Sequence, residues 1–356
     1  MVPPEVEQAT SEFSSSLLSD REFAIGPVPG DGGRTQSAAS FMTLRKRPAG
    51  HDLPNTCGEN LSEGAFMLVL RDVLDETQKT GKAIGHFNIS DLVLLKAVFD
   101  SARELSVPVL VGASSAERKF MGVDQIVALV RSLREEFNFP IFLNADHTHS
   151  RAEAEEAAKA GFDAIVFDVS ALPFEENVRQ TKEAVEALKS INPAIVVEGE
   201  IGDIGVGSEI HEKAPDLSKG LTTPDDAKRY VESTAIDILA PAVGNMHGML
   251  ASMVRGETRK RLDIARIAEI KTATRALLTL HGGSGTDDED LRKAIAAGIN
   301  VVHINTELRV AWRRGLEDGL ATQPHEVVPY KILPFAVESV KHVTVSRLRL
   351  FNGMPA

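Results

Sequence analysis

The sequence predicts an α/β fold, a (β/α)8 TIM barrel with a C-terminal helical extension, and two observations predict it. From residue 83 onward, eight short apolar, β-branched runs alternate with amphipathic stretches. Parallel strands buried on both faces, joined by crossover helices, have this pattern. Polar side chains also collect at the C-terminal ends of the runs, where such barrels place their chemistry.

The strands are expected at 83–88 (AIGHFN), 108–114 (PVLVGAS), 140–147 (PIFLNADH), 164–170 (AIVFDVS), 194–202 (AIVVEGEIG), 238–244 (ILAPAVG), 277–284 (LLTLHGGS) and 300–307 (NVVHINTE). Between them lie helix signals. Thr223 before Pro224, with Asp226 three residues on, reads as an N-cap, a proline at the first helical position and a capping acid. Thr286 and Glu289 form a capping-box pattern whose helix ends at Gly298. After Phe174, the positions Val178, Thr181, Val185 and Leu188 share one helical face. Residues 335–350 form the terminal helix. A doubly wound open sheet is the runner-up, and it lacks a GxGxxG turn after the first strand.

Residues 1–62 are rich in Ser, Pro and Gly and hold no period. They read as a disordered leader, with the barrel domain over 63–356. A start at Met67 would also leave a well-formed barrel. The chain is acidic, with a formal charge of −12. That argues against nucleic acid, whose binding runs on phosphate neutralisation by Lys and Arg. No apolar run approaches the ~18–20 residues of a membrane span, and no basic, then apolar, secretory signal opens the chain. Cys57 is the single cysteine, so no intrachain disulfide forms, and a cytoplasmic protein is expected.

His147, His247 and His281 end the third, sixth and seventh strands. Neutral imidazoles suit Zn²⁺, and three protein ligands with one open position is the pattern of a catalytic zinc site. His149 and His303 are spare candidates, and His86 reads as structural. Asp146, next to His147, is placed for proton transfer or for holding a histidine tautomer. The glycine-punctuated stretch from Gly202 to Glu209, which opens a long connection lasting to Thr223, reads as a mobile lid carrying the Glu209 carboxylate. Gly282, Gly283 and Gly285, before a helix expected at Thr286, form an anion-binding turn, with Ser284, Asn305 and Thr306 placed to help. No strand end carries a lysine, which turns the reading away from Schiff-base chemistry.

These segments resemble the class II, metal-dependent ketose-bisphosphate aldolases, among them the fructose- and tagatose-bisphosphate enzymes. The marks are Phe87-Asn88, Asp146-His147, residues 170–185, VEGEIG at 197–202, GNMHG at 244–248, LHGGSG at 280–285, INTELR at 304–309 and LRLFNG at 348–353. The resemblance implies a C3–C4 cleavage of a phosphorylated ketose (fructose 1,6-bisphosphate to two triose phosphates) through a zinc-stabilised enediolate. It implies that His147, His247 and His281 hold the zinc with Glu200 nearby. Asp146 would exchange a proton with the C4 oxygen, and Glu209 would shuttle the C3 proton. Gly248, Gly282, Gly283, Ser284, Asn305 and Thr306 would bind phosphate, with a monovalent cation close by. Asn88, Ser114 and His303 would line the cleft, and the chain would be a homodimer or homotetramer.

The chain also departs from the family pattern. Where the family carries Asn-Ile-Asp-Thr, this chain has His303-Ile304-Asn305-Thr306. The tyrosine near the second metal histidine is absent. Two other readings stay open: a non-catalytic aldolase-like assembly subunit, and an aldolase or epimerase for another sugar phosphate.

Overall fold

The computed structural model describes residues 68–355 except 206 and 214–219. The expected leader 1–62, Cys57 and Met67 lie outside the described residues. A closed parallel barrel is built from β1 (Ile84–Asn88), β2 (Val109–Ser114), β3 (Ile141–Thr148), β4 (Ala164–Phe167), β5 (Val196–Ile201), β7 (Ile238–Pro241), β9 (Leu277–Leu280) and β10 (Ile299–Ile304). Its strand order is β1-β10-β9-β7-β5-β4-β3-β2. All eight expected strands are present. A two-stranded parallel ribbon joins β6 (Ile210–His211) to β8 (Met249–Leu250), and strands of two residues are too short to show a period in the sequence.

Local chemistry starts and stops the helices. In α7 (Pro224–Thr234), the Thr223 hydroxyl accepts from the Asp226 amide, as its sequence predicts. The helix α10 (Asp288–Ala296) corrects the expectation at Thr286. Its cap is Asp287, whose carboxylate accepts from the amides of Glu289 and Asp290. Thr286 is held instead in a turn with Gly283, its amide on the Gly283 carbonyl. On α6 (Phe174–Ile191) the buried face holds Asn177, Thr181, Val185 and Leu188, with Val178 at its edge.

The first helix, α1 (Leu70–Thr80), closes the bottom of the barrel. Leu70, Val73 and Leu74 pack with the lowest residues of the strands, among them Ile84, Leu110, Phe142 and Val301. At the other end of the chain, α11 (Thr306–Thr322) and α12 (Pro329–Phe351) pack together, and α12 also lies on α2 (Leu92–Leu105). This is the expected terminal extension, longer than the sequence suggested. Among the described residues, no helix is long and apolar enough to cross a membrane.

Candidate active site

The three histidines meet at the C-terminal mouth of the barrel. One nitrogen from each of His147, His247 and His281 falls within 4.8 Å of the others. His147 ends β3 at φ +39°, and the β3–β4 register shifts between Ala145 and Thr148. That break in the alternation lets the neighbours Asp146 and His147 both face the site.

Each ring is oriented by a second partner. His147 Nδ1 donates to Asp168 Oδ2 at 2.8 Å, His247 Nδ1 to the Gly205 carbonyl at 2.8 Å, and His281 Nε2 to Glu198 Oε1 at 2.5 Å. The opposite nitrogens, Nε2, Nε2 and Nδ1, are the ones turned to the common point. Fixing one nitrogen as donor is how proteins present the other as a metal ligand.

The electrostatics agree. His247 Nε2 and Glu200 Oε2 are buried without a hydrogen-bond partner, and Glu200 Oε2 lies 3.5 Å from His281 Nδ1. Burial and the neighbouring rings of His147 and His281 lower His247 to about 3, keeping it neutral. Burial also works against charge on His147, yet Asp146, Asp168 and Glu200 outweigh it and raise the ring to about 10. Burial and the charge of Asp168 push Glu200 up to about 7. Carboxylates and a retained proton thus surround a point that one divalent ion would neutralise. The donor set of three imidazoles with a carboxylate beside them fits zinc.

Asp146 Oδ2 accepts from Asn88 Nδ2 at 2.9 Å. Burial opposes its charge, but His147 and His303 hold it well below the ordinary carboxylate range. The carboxylate is therefore ionised, and it lines the pocket. His303 stacks between His86 at 3.5 Å and His281 at 4.1 Å, with its Nδ1 3.4 Å from Asp146. His86 is thus fully buried beneath the site, and both its ring nitrogens lack partners.

A small cavity of ≈ 20 Å³ is lined by Asn88, Asp146, the three metal-type histidines, His303, Ser208, Gly248, Gly282, Ser284, Asn305 and Thr306. Gly283 lies behind the wall, its amide bonded to the His303 carbonyl. Ser114 caps α3 (Ser115–Met121) and lines the neighbouring mouth, not the inner pocket. Glu209 is exposed beside β6, and the structure does not bring it to the histidines. Ser208, in the stretch expected to form a lid, is nevertheless engaged. Asn305 Nδ2 donates to Ser208 Oγ at 3.3 Å, and Arg309 to the Ser208 carbonyl at 3.1 Å. His149 turns outward, 63% exposed, and is not part of the cluster.

Sequence reasoning missed the partners. Asp168 and Glu198 sit on or just past strands, and only the closed barrel shows which ring each one meets. Arg309, which reaches Glu117 Oε1 at 2.8 Å and lines the mouth, stood inside a recognised segment but had no geometry.

A closed eight-stranded barrel with such a histidine mouth defines a metal-type barrel enzyme, and the comparisons with known proteins agree. Residues 69–354 match the family "Fructose-bisphosphate aldolase class-II". A fructose-bisphosphate aldolase of Staphylococcus aureus is 32% identical over 289 residues, covering 80% of this chain and 97% of the relative. One from Geobacillus stearothermophilus is 31% identical over 292 residues, covering 81% and 97%. The crystal structure of the YdjI aldolase from Escherichia coli K12 aligns with a TM-score of 0.67 at 27% identity, covering 80% and 97%. The chain belongs to the class II fructose-bisphosphate aldolase family. It is accordingly a metal-dependent aldolase, a lyase.

Proposed function

We propose that the protein cleaves and re-forms the C3–C4 bond of a ketose bisphosphate, with zinc held by His147, His247 and His281. The observation that carries this reading is the tautomer arrangement: each ring is pinned at one nitrogen and turns the other to a shared point. A bound zinc ion supplies Lewis-acid stabilisation of the negative charge that develops beside the substrate carbonyl.

The chain's own residues do the rest. Asp146, ionised and held by Asn88, takes or returns the proton of the C4 hydroxyl as the bond breaks or forms. Ser284, Gly248, Gly282, Asn305 and Thr306 bind one phosphate. Arg309, at the mouth, meets the second, as a guanidinium suits phosphate. The lid segment near Ser208 excludes water while the carbanion is exposed, and Glu209 reaches the C3 proton only when that segment rearranges. The protein works in the cytoplasm as a homodimer or homotetramer.

The test follows triose phosphate release from fructose 1,6-bisphosphate with chelator, then with zinc restored. Activity lost and regained establishes the reaction. No cleavage by zinc-loaded protein would overturn the fructose assignment. One observation favours a different sugar phosphate as the alternative outcome. His303, stacked on His281 and facing Asp146, occupies the wall where the family carries asparagine.

A further inference from the structure

Lys260 lies in a basic run, Arg259-Lys260-Arg261, which would ordinarily stay in water. Its side chain is instead buried, 4% exposed. The backbone is clamped to the seventh-strand loop on both sides: its amide donates to the Gly285 carbonyl, and its own carbonyl accepts from Asp287. From there the side chain runs under the pocket. Its Nζ donates to the carbonyls of Met246 at 2.7 Å, Gly248 at 2.6 Å and Gly282 at 2.9 Å.

Three acceptors meet three donors. An ammonium has three N–H bonds and a neutral amine only two, so the geometry calls for the charged form. Burial draws the pKa down to about 7, and the carbonyl oxygens favour the proton. Among the described residues, no carboxylate forms an ion pair with Lys260. The charge of Glu307 also favours the proton, but every direct contact of Nζ is a neutral carbonyl, and a buried cation so held is costly unless an anion completes the site.

The three peptide units that Lys260 grips are gripped at their other ends too. The His247 amide donates to Ile204, the Met249 amide to Glu209 and the Gly283 amide to His303. Lys260 therefore sits at the junction of the lid segment, the turn that carries His247 and the turn that follows His281. Gly248 and Gly282 are also walls of the pocket. Both have positive φ, +70° and +61°, and turn their carbonyls away from the pocket onto the ammonium.

We propose that Lys260 is a positioning residue of the phosphate subsite: a tethered cation that fills the carbonyl cage between the two glycine turns, so that phosphate binding needs no free monovalent ion. The inference rests on the proposed function for the identity of the anion as a substrate phosphate. It also explains how a chain of net charge −12 gathers a phosphorylated ligand, since the opposing charge lies directly behind the turn.

The test measures inorganic phosphate binding to the metal-loaded protein by calorimetry, in potassium, sodium and tetramethylammonium chloride at equal ionic strength. For the natural protein the Kd should shift by less than about twofold between salts, as for a site whose cation is already in place. A gain of about tenfold or more with potassium or sodium would show that a free ion is required and overturn the proposal. In Lys260→Met, binding in tetramethylammonium should weaken by about tenfold or more, and potassium or methylammonium should restore part of it. Binding unchanged by the substitution, or a weakening that no small cation relieves, would also overturn it. If Lys260→Met fails to fold, the natural protein's salt series still decides. Phosphate binding does not depend on turnover. A protein that binds phosphate as expected but cleaves no sugar phosphate would sink the proposed function and leave this inference standing.

Discussion

His147 Nε2 and His281 Nδ1 face each other at 3.0 Å. Their other nitrogens are already committed to Asp168 and Glu198, so a single proton bridges the pair where a metal ion would sit. His147 is raised to about 10, above the unfolded value of ~6.5. The stabilisation of the metal-free protein from this proton is therefore complete below pH ~6.5 and is lost as pH rises through about 10. Metal binding must expel the same proton and should strengthen over the same range. Melting temperatures read with chelator should fall from pH 6.5 towards 10, and those read with zinc should hold or rise. Parallel curves would mean that the metal does not compete for this proton.

Asp168 and Glu198 act through the rings they hold. Asp168→Asn or Glu198→Gln keeps the size but weakens control of the tautomer. Each substitution should lower zinc affinity by about 10- to 100-fold, measured by competition with a chromophoric chelator. Affinity equal to the natural protein's would show that the rings are oriented by packing alone.

Asp146 shares its strand end with His147 but, in the proposed reaction, has a separate task. Asp146→Asn keeps the contact with Asn88 and removes the base. Zinc stoichiometry should stay at the natural value while kcat falls by about 10²- to 10⁴-fold. A variant that loses its zinc along with its turnover would place Asp146 in the metal site instead.

The barrel was legible because a buried parallel strand must be apolar on both faces, and runs such as AIVFDVS and PVLVGAS announce that in a few residues. The three histidines were legible because strand ends in a barrel share one rim. What escaped was one competition between neighbouring caps and whatever depends on long-range partners. The Thr286 cap failed because Asp287, one residue on, competes for the same amides and wins. Glu198 and His281 are 83 residues apart in sequence, and only barrel closure reveals their 2.5 Å contact. Lys260 was silent for a different reason. A lysine between two arginines reads as a solvated charge, and the carbonyls that hold it belong to loops whose sequence says nothing about where their oxygens point.

Arg309 offers a test of substrate polarity. It is the arginine lining the mouth, tied to Glu117 and to the Ser208 carbonyl. A second phosphate should meet it. Arg309→Met should raise KM for a bisphosphate by about tenfold or more, as loss of a charged hydrogen bond does, with zinc content unchanged. Equal KM values would move the second phosphate elsewhere on the rim.

The bottom of the barrel makes the last prediction. Leu74 of α1 is fully buried among the lowest strand residues, in a cluster with Ile84, Leu110, Phe142 and Val301. That cluster lies at the end of the strands opposite the histidines, so the helix stabilises the barrel without touching the chemistry. Leu74→Ala removes apolar contacts and leaves a cavity that strands held in a closed ladder relax into poorly. The expected cost is about 2–5 kcal/mol, read as a lower urea midpoint with the slope unchanged. Zinc content and kcat per folded molecule should match the natural protein. If kcat falls while zinc stays bound, then the plug sets the height of the strands in the barrel, and the mouth feels what happens at the floor.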